Sequence, residues 1–195
     1  ARIRALENGL FSSAQIEQLL SVKSYEGALR FLTEHGWGNA DTPLSAEAIL
    51  TREKTKTWET VRDLLKGDDA ILAVLSYGDL YHNLKAAIKD AAEPGSHGNV
   101  YFDDCEVDGA RMAKIVAEKD WQALPAHMRE AAKEASETFL HTGDGQLCDI
   151  IVDRSALAAI YECGRNASDA IIRDYAETTV AVADIKIAVR SQKTG

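Results

Sequence analysis

The sequence predicts an all-α protein, and three observations lead to this fold class. Only three prolines and 13 glycines occur in 195 residues, too few chain breakers for a turn-rich β architecture. Ala, Leu, Glu and Lys, which favour helices, dominate the composition. Apolar residues recur every three to four positions along most of the chain, as on one face of a helix.

Composition and charge limit the kind of protein. A formal charge of −9 argues against a general nucleic-acid binder, which would present a basic face. Cys105, Cys148 and Cys163 lack metal-ligand spacing and fit a reducing compartment. No apolar run is long enough for a membrane-spanning helix, and no signal peptide is present. The chain starts at Ala1 within a helical pattern, so we expect a fragment of a longer protein.

In the first half, helix-start and helix-stop signals delimit several helices. Ser12 with Gln15 forms a capping-box pattern, and Ser24 is a candidate N-cap for the next helix. Gly36 stands where a left-handed helix terminus is needed. The predicted helices cover residues 1–8, 13–22, 25–35, 45–66 and 70–76.

The segment 77–89 is the most informative stretch of the chain. Gly78 is predicted to end the preceding helix, and Asp79 to cap a new one whose apolar face includes Leu84. His82 and Asn83 are poor helix formers in its middle, so a reason other than propensity must place them there.

Breakers in residues 93–100 mark the clearest joint of the chain. Beyond it, the sequence predicts a first helix at 109–118 and a second beginning at Pro125, which suits the first position of a helix. Gly164 is predicted to end a later helix, and Ser168 to cap the next. The predicted helices of this half cover residues 109–118, 125–141, 148–162, 168–177 and 178–191, with a short strand at 178–182 as the alternative.

Two helical sequence segments recur in the same order in both halves. Residues 83–89 (N-L-K-A-A-I-K) match 184–190 (D-I-K-I-A-V-R), and residues 15–26 match 111–122. We therefore interpret the chain as two pseudo-repeated helical bundle units, residues 1–95 and 96–195.

The sequence contains one metal-binding pattern and one candidate reactive pair. Asp104, Glu106 and Asp108 open a D-x-E-x-D-G calcium-loop pattern, but Ile115 stands where the closing glutamate is required, which favours helix-capping acids. Asp79 and His82 share a helical face and would be central to an all-helical metal-dependent hydrolase. No phosphate-binding or nucleophile motif occurs, and no cofactor is predicted.

The absence of a catalytic set favours an adaptor or coupling protein, with a generic helical scaffold as a further alternative. The middle of the helix at 45–66 reads T-R-E-K-T-K-T, nearly all polar, and is predicted to face solvent or a partner. Six cations are candidate contacts to acidic partner surfaces: Arg2, Arg4, Arg52, Lys54, Lys56 and Lys85.

Several sequence segments resemble those of a known family. The segments that carry the resemblance are 1–7 (A-R-I-R-A-L-E), 12–20 (S-x-x-Q-I-E-Q-L-L), 24–29 (S-Y-E-G-A-L), 36–38 (G-W-G) and 79–85 (D-L-Y-H-N-L-K). Together they resemble the C subunit of the prokaryotic V-type (A/V-type) ATPases, whose eukaryotic counterpart is the d subunit. The resemblance spans the chain and is strongest up to Lys89 and at 184–190.

The resemblance implies an all-helical funnel of three similar units, of which this chain holds two. It implies a cytoplasmic protein, peripheral to the membrane, that joins the central shaft to the proteolipid ring and transmits torque for ATP-driven or ATP-producing proton or sodium transport. It also implies no catalytic residues and no cofactor. A missing third unit would expose apolar surface on the remaining two.

Overall fold

The computed structural model describes residues 2–65, 69–92, 100–102 and 105–194. Within these ranges every regular element is helical and no strand is present, which confirms the all-α prediction. Two 3₁₀ turns, Trp121–Ala123 and Ala126–Met128, precede α7. The helices are α1 Arg2–Glu7, α2 Ser13–Ser21, α3 Tyr25–Glu34, α4 Ala46–Leu65, α5 Asp69–Ala92, α6 Gly109–Glu118, α7 Arg129–Thr142, α8 Gly145–Asn166 and α9 Ala170–Thr194.

The chain divides into two compact units, residues 1–65 and 66–195. This division lies 30 residues before the predicted repeat boundary at residue 95, because α5 packs against α6, α7 and α8 rather than completing the first unit's bundle. The pseudo-repeat was inferred from sequence similarity alone, and the existence of two repeated units stays a prediction.

The first unit is held by well-formed caps and a small core. The Ser12–Gln15 capping box forms as predicted, and the Ser24 hydroxyl accepts from the Gly27 amide. Gly36 adopts a φ of +82°, the left-handed backbone that the sequence predicted there. The core residues are Leu29, Leu32 and Ile49, with Phe11, Leu19, Trp37 and Ala46 packed around them.

The second unit has a larger core, to which α5 contributes a whole face. Leu80, Leu84 and Ile88 of α5 are buried. They pack in one cluster with side chains of α6, α7 and α8, among them Met112, Ile115, Val116, Ala132, Ala135, Cys148 and Val152. Helix α5 is therefore the element around which this unit is built.

Two predicted breaks inside helices were wrong. Gly78 does not end a helix and Asp79 does not cap one, since both lie inside the continuous α5. A glycine in a helix interior costs only about 1 kcal/mol relative to alanine, and burial of Val74 and Leu80 on either side offsets that cost. Gly164 likewise lies inside α8, where it gives room to Ala176 of α9.

The end of the chain also differs from the sequence prediction. The sequence predicts that Ser168 caps a helix ending near residue 177. Instead, α9 begins at Ala170, two residues later, and continues without a break to Thr194. The β-branched residues at 178–182 lie within this helix, so the alternative strand is excluded. The predicted helix start at Pro125 is also shifted: Pro125 precedes the 3₁₀ turn Ala126–Met128, and α7 starts at Arg129.

Candidate functional site

Polar side chains on α5 hold the segment that precedes α6. Asn83 is fully buried: its Nδ2 donates to the Phe102 carbonyl at 2.7 Å, and its Oδ1 accepts from the Phe102 amide at 2.8 Å. A side-chain amide thus satisfies both backbone groups of one residue, as a neighbouring strand would. This pairing accounts for a poor helix former in the middle of α5.

His82 and Tyr101 strengthen the same junction. The His82 Nε2 atom lies 2.9 Å from the Val100 carbonyl, and the Tyr101 hydroxyl donates to Asp90 of α5 at 2.8 Å. Gly109 is required beside it, because a Cβ at that position would overlap the Tyr101 side chain. The residues 100–102 are therefore tied to α5 by backbone and side-chain hydrogen bonds.

The metal-binding alternatives that the sequence left open gain no support from this geometry. His82, a candidate metal ligand with Asp79, lies within hydrogen-bonding distance of a backbone carbonyl. Asp108 is the N-cap of α6, as the capping interpretation expected, while Asp104 lies outside the described residues. Across the parts of the chain that the structure describes, no three His, Cys, Asp or Glu residues are grouped to hold a metal ion.

Two ion pairs join α5 to α8. Lys85 Nζ lies 2.6 Å from Asp153 Oδ1, and Lys89 Nζ lies 2.7 Å from Asp149 Oδ1. The later lysine pairs with the earlier aspartate, so the two helices run antiparallel, and both pairs are partly exposed. Lys85, a predicted partner contact, thus binds within its own unit, and its contact to another chain stays a prediction.

The predicted cations of the first unit also have intramolecular partners. Arg2 pairs with Asp63, Arg4 with Glu7 at 3.2 Å, Arg52 with Glu59 at 3.6 Å, and Lys56 with Glu53 at 2.9 Å. Lys54 is half-buried on α4. Exposed ion pairs of this kind contribute about 0–1 kcal/mol, so they exchange partners at little cost. The structure brings Arg52, Lys54 and Lys56 onto one helix but does not test their binding to a partner.

A partly buried polar cluster that the sequence did not predict connects α5, α8 and the second 3₁₀ turn. The Tyr81 hydroxyl lies 2.9 Å from His127 Nδ1, 3.0 Å from the His127 carbonyl and 3.3 Å from Ser155 Oγ. Burial raises the pKa of Tyr81 and lowers that of His127, the latter against the opposing charge of Glu106.

Within this cluster, Ser155 contacts a backbone carbonyl and a phenol. Ser155 Oγ reaches the backbone carbonyl of His127 at 3.4 Å and the Tyr81 hydroxyl at 3.3 Å, and neither group is a base that would activate a serine nucleophile. Next to it, burial and then Cys163 raise the pKa of Tyr77 to about 12. The members of the cluster are separated by 46 and 74 residues, and no short motif connects them.

Two apolar grooves lie in the second unit. One, of about 430 Å³, is lined by α5, α6 and α7 and includes Ala87, Ala113 and Phe139. The other, of about 670 Å³, lies along α8 and α9 and includes Leu157, Tyr175 and Val182. Apolar side chains dominate both linings, beside one acid and one lysine in each: Asp90 and Lys119 in the first groove, Asp174 and Lys186 in the second.

Among the described helices, none combines the length and the apolar character that crossing a bilayer would require.

Comparison with known proteins places the chain in a family. The model of the ATP synthase (C/AC39) subunit family matches residues 1–195, the whole chain. No curated protein and no solved structure matches it significantly. The family match agrees with the resemblance found in the sequence words and with the all-helical fold. The chain therefore belongs to the V-type ATP synthase C/AC39 subunit family.

Proposed function

We propose that this chain is a non-catalytic coupling subunit in the central stalk of a rotary V-type ATPase. It links the rotating shaft to the proteolipid ring of the membrane sector and serves ATP-driven or ATP-producing proton or sodium transport. The family match over residues 1–195 is the observation that carries this proposal. Its place is on the cytoplasmic side, peripheral to the membrane and held there through its partners.

The packing of the second unit supports a load-bearing role. A torque-transmitting element needs helices that keep their positions, and α5 is fixed by a buried apolar face, by Asn83 and by two ion pairs to α8. A rigid helix with satisfied polar groups passes on a displacement instead of absorbing it. The polar clusters described above contribute to this packing.

Contacts to shaft and ring are assigned to the cations that the sequence singled out. These are Arg2, Arg4, Arg52, Lys54, Lys56 and Lys85. Three of them, Arg52, Lys54 and Lys56, lie close together on α4. Charged residues at the edge of an interface speed the association of the two proteins and make it depend on salt concentration.

The test is co-purification from membranes. The chain, in its natural full-length form and tagged, is purified from detergent-solubilised membranes of its source, and bound proteins are identified by mass spectrometry. We expect the ATPase shaft subunits and the proteolipid ring. Recovery of neither, with both present in the input, overturns the proposal.

A charge-reversal series then tests the contact residues. Reversal of Arg52, Lys54 and Lys56 to Glu is expected to weaken recovery of shaft or ring at least about fivefold. The matched control reverses three exposed cations of the second unit: Lys114, Lys133 and Arg165. Equal recovery from both variants would show that the α4 cations are not the contact.

A further inference from the structure

The groove between α5, α6 and α7 contains a serine hydroxyl without a partner. Ser136 of α7 lines this groove and is only 8% exposed. Within the described part of the chain, its Oγ forms no hydrogen bond. Ser21 and Ser76, by contrast, each donate to a carbonyl three residues earlier in their helix. A buried hydroxyl without a partner destabilises the folded state, so its position in a groove points to a bound group that supplies the partner.

A lysine lines the same groove. Lys119 is the C-cap of α6, and its side chain has no ion-pair partner among the residues that the structure describes. Lys85 and Lys89 of α5 are different, because each is paired with an aspartate of α8. In a protein with a formal charge of −9, a lysine left without an acid is available to attract an anionic group.

The remainder of the lining is mostly apolar, and it includes Ala87, Ala113 and Phe139. Asp90 also lines the groove, and its Oδ2 accepts a hydrogen bond from the Tyr101 hydroxyl at 2.8 Å. Since this carboxylate repels an anion, a negatively charged head group is expected beside the lysine and the serine. The groove therefore offers an apolar wall, one hydroxyl and one cation.

The volume of the groove favours a small molecule over a protein helix. A helix about 10 Å across fills roughly 420 Å³ for each turn of about 5.4 Å, so a groove of about 430 Å³ has room for only about one turn. Small-molecule sites have volumes of about 300–1,000 Å³ and mostly apolar linings, with a few polar groups that fix the orientation of the ligand. This groove has both properties.

We propose that this groove binds a long-chain fatty acid in its ionised form. The hydrocarbon chain lies against the apolar wall that Ala87, Ala113 and Phe139 provide. The carboxylate accepts a hydrogen bond from the Ser136 hydroxyl and is attracted by the Lys119 ammonium group. A carboxylate head suits these two groups because one can donate to it and the other carries the opposite charge. The inference holds whether or not the rotor role is correct, since it concerns a small-molecule site within the second unit.

Isothermal titration calorimetry with sodium dodecanoate tests the inference. The natural full-length chain is purified, and the fatty acid is titrated below its critical micelle concentration. We expect saturable binding of one molecule per chain. Dodecanol and dodecyltrimethylammonium have the same hydrocarbon chain but lack the negative charge, so they are expected to bind at least about tenfold more weakly. No binding of dodecanoate, or equal binding of all three compounds, would overturn the inference.

Two variants test the polar groups of the site. Ser136→Ala is expected to weaken dodecanoate binding at least about tenfold, because a hydrogen bond to a charged group is lost. The same change should leave the melting temperature of the ligand-free protein unchanged or higher, since it removes a hydroxyl without a partner. Lys119→Met is expected to weaken binding about threefold at low salt. Lys114→Met, at an exposed position of α6 outside the groove, is its matched control. An affinity unchanged in Ser136→Ala would overturn the inference.

A blocking variant tests the location of the site. Ala117 is exposed and lines the groove, so Ala117→Phe fills the groove from its open side and is expected to abolish dodecanoate binding. Ala110→Phe, at an exposed position of α6 outside the groove, is the matched control and should bind as the wild type does. Circular dichroism verifies that both variants keep their helix content. Unchanged binding by Ala117→Phe would show that the fatty acid binds elsewhere and would overturn the inference. The calorimetry needs neither shaft nor ring, so its outcome is read separately from the co-purification.

Discussion

Helices α5 and α9 have 24 and 25 residues and carry similar sequence segments, 83–89 and 184–190, at the same position, yet the first segment is largely buried and the second is exposed. Leu84 of α5 is fully buried, whereas its counterpart Ile185 is 63% exposed. An apolar stripe on a helix therefore makes burial favourable, but the stripe is buried only where neighbouring elements pack against it. The difference between the two helices can be tested position by position.

The largest expected effect comes from truncating the buried apolar residue. Leu84→Ala should lower the free energy of unfolding by about 2–5 kcal/mol, because it leaves a cavity in a packed core. Ile185→Ala, its matched control, should change it by less than about 0.5 kcal/mol. Denaturation by urea, followed by circular dichroism, measures both. Similar losses would mean that the face of α9 is covered in the isolated chain.

The next effect comes from exchanging the polar residue between the two helices. Asn83→Asp keeps the acceptor for the Phe102 amide but replaces the donor to its carbonyl by a second carboxylate oxygen, so we expect a loss of about 3 kcal/mol. Asp184→Asn makes the reciprocal change on exposed α9 and should leave stability within about 0.5 kcal/mol of the wild type. Hydrogen exchange of the Phe102 amide reports on the junction directly, and unchanged protection in Asn83→Asp would contradict the pairing.

The glycines of α8 and α5 should respond with opposite sign. Gly164→Ala places a Cβ against Ala176 of α9 and should destabilise by about 1–3 kcal/mol through overpacking. Gly78→Ala meets no atom within 4 Å and should stabilise by about 0.5–1 kcal/mol, because alanine favours the helix. Thermal melts of both variants provide the comparison. Stabilisation by both would show that α8 and α9 are not in close contact.

The smallest effect is a pH dependence at α5 that α9 should lack, since Thr178 stands at the counterpart of Tyr77. The pKa of Tyr77 is raised to about 12, so between pH 10 and 12 the folded state keeps a proton that the unfolded state has lost. Stability should therefore fall across that range, and because Tyr77 is only partly buried, solvent screening keeps the slope well below the limit of about 1.4 kcal/mol per pH unit. Tyr77→Phe removes this contribution.

The measurement is the difference in unfolding free energy between wild type and Tyr77→Phe at about pH 9, 10 and 11. The difference should shrink as pH rises, and a constant value would exclude the shift. Tyr161→Phe, at an exposed position on α8, is the control for loss of a phenol.

Local signals in the sequence were sufficient for the fold class and for several helix starts. Ser12, Ser24 and Asp108 are N-caps in the structure, because a cap is made by residues two or three positions apart and can be recognised in a short window. The core face of α5 followed from its apolar spacing for the same reason.

Interactions between distant residues account for what the sequence did not predict. Gly78 and Gly164 look like breakers, but tertiary packing outweighs their cost, and that packing is not visible in a local window. Asn83 was recognised as out of place, while its partner Phe102 lies 19 residues away. The six candidate cations were chosen by charge alone, and their nearest acids became known only with the fold.

The two ion pairs between α5 and α8 also determine how these helices respond to an axial force. If α5 slid along α8 by one turn, about 5.4 Å, Lys89 would meet Asp153 and the other two charges would lose their partners. Only one register satisfies both pairs, so the pair of helices resists shear in either direction. A single ion pair would be lost completely after a slide of one turn, whereas with two pairs a slide of two turns is needed to lose both.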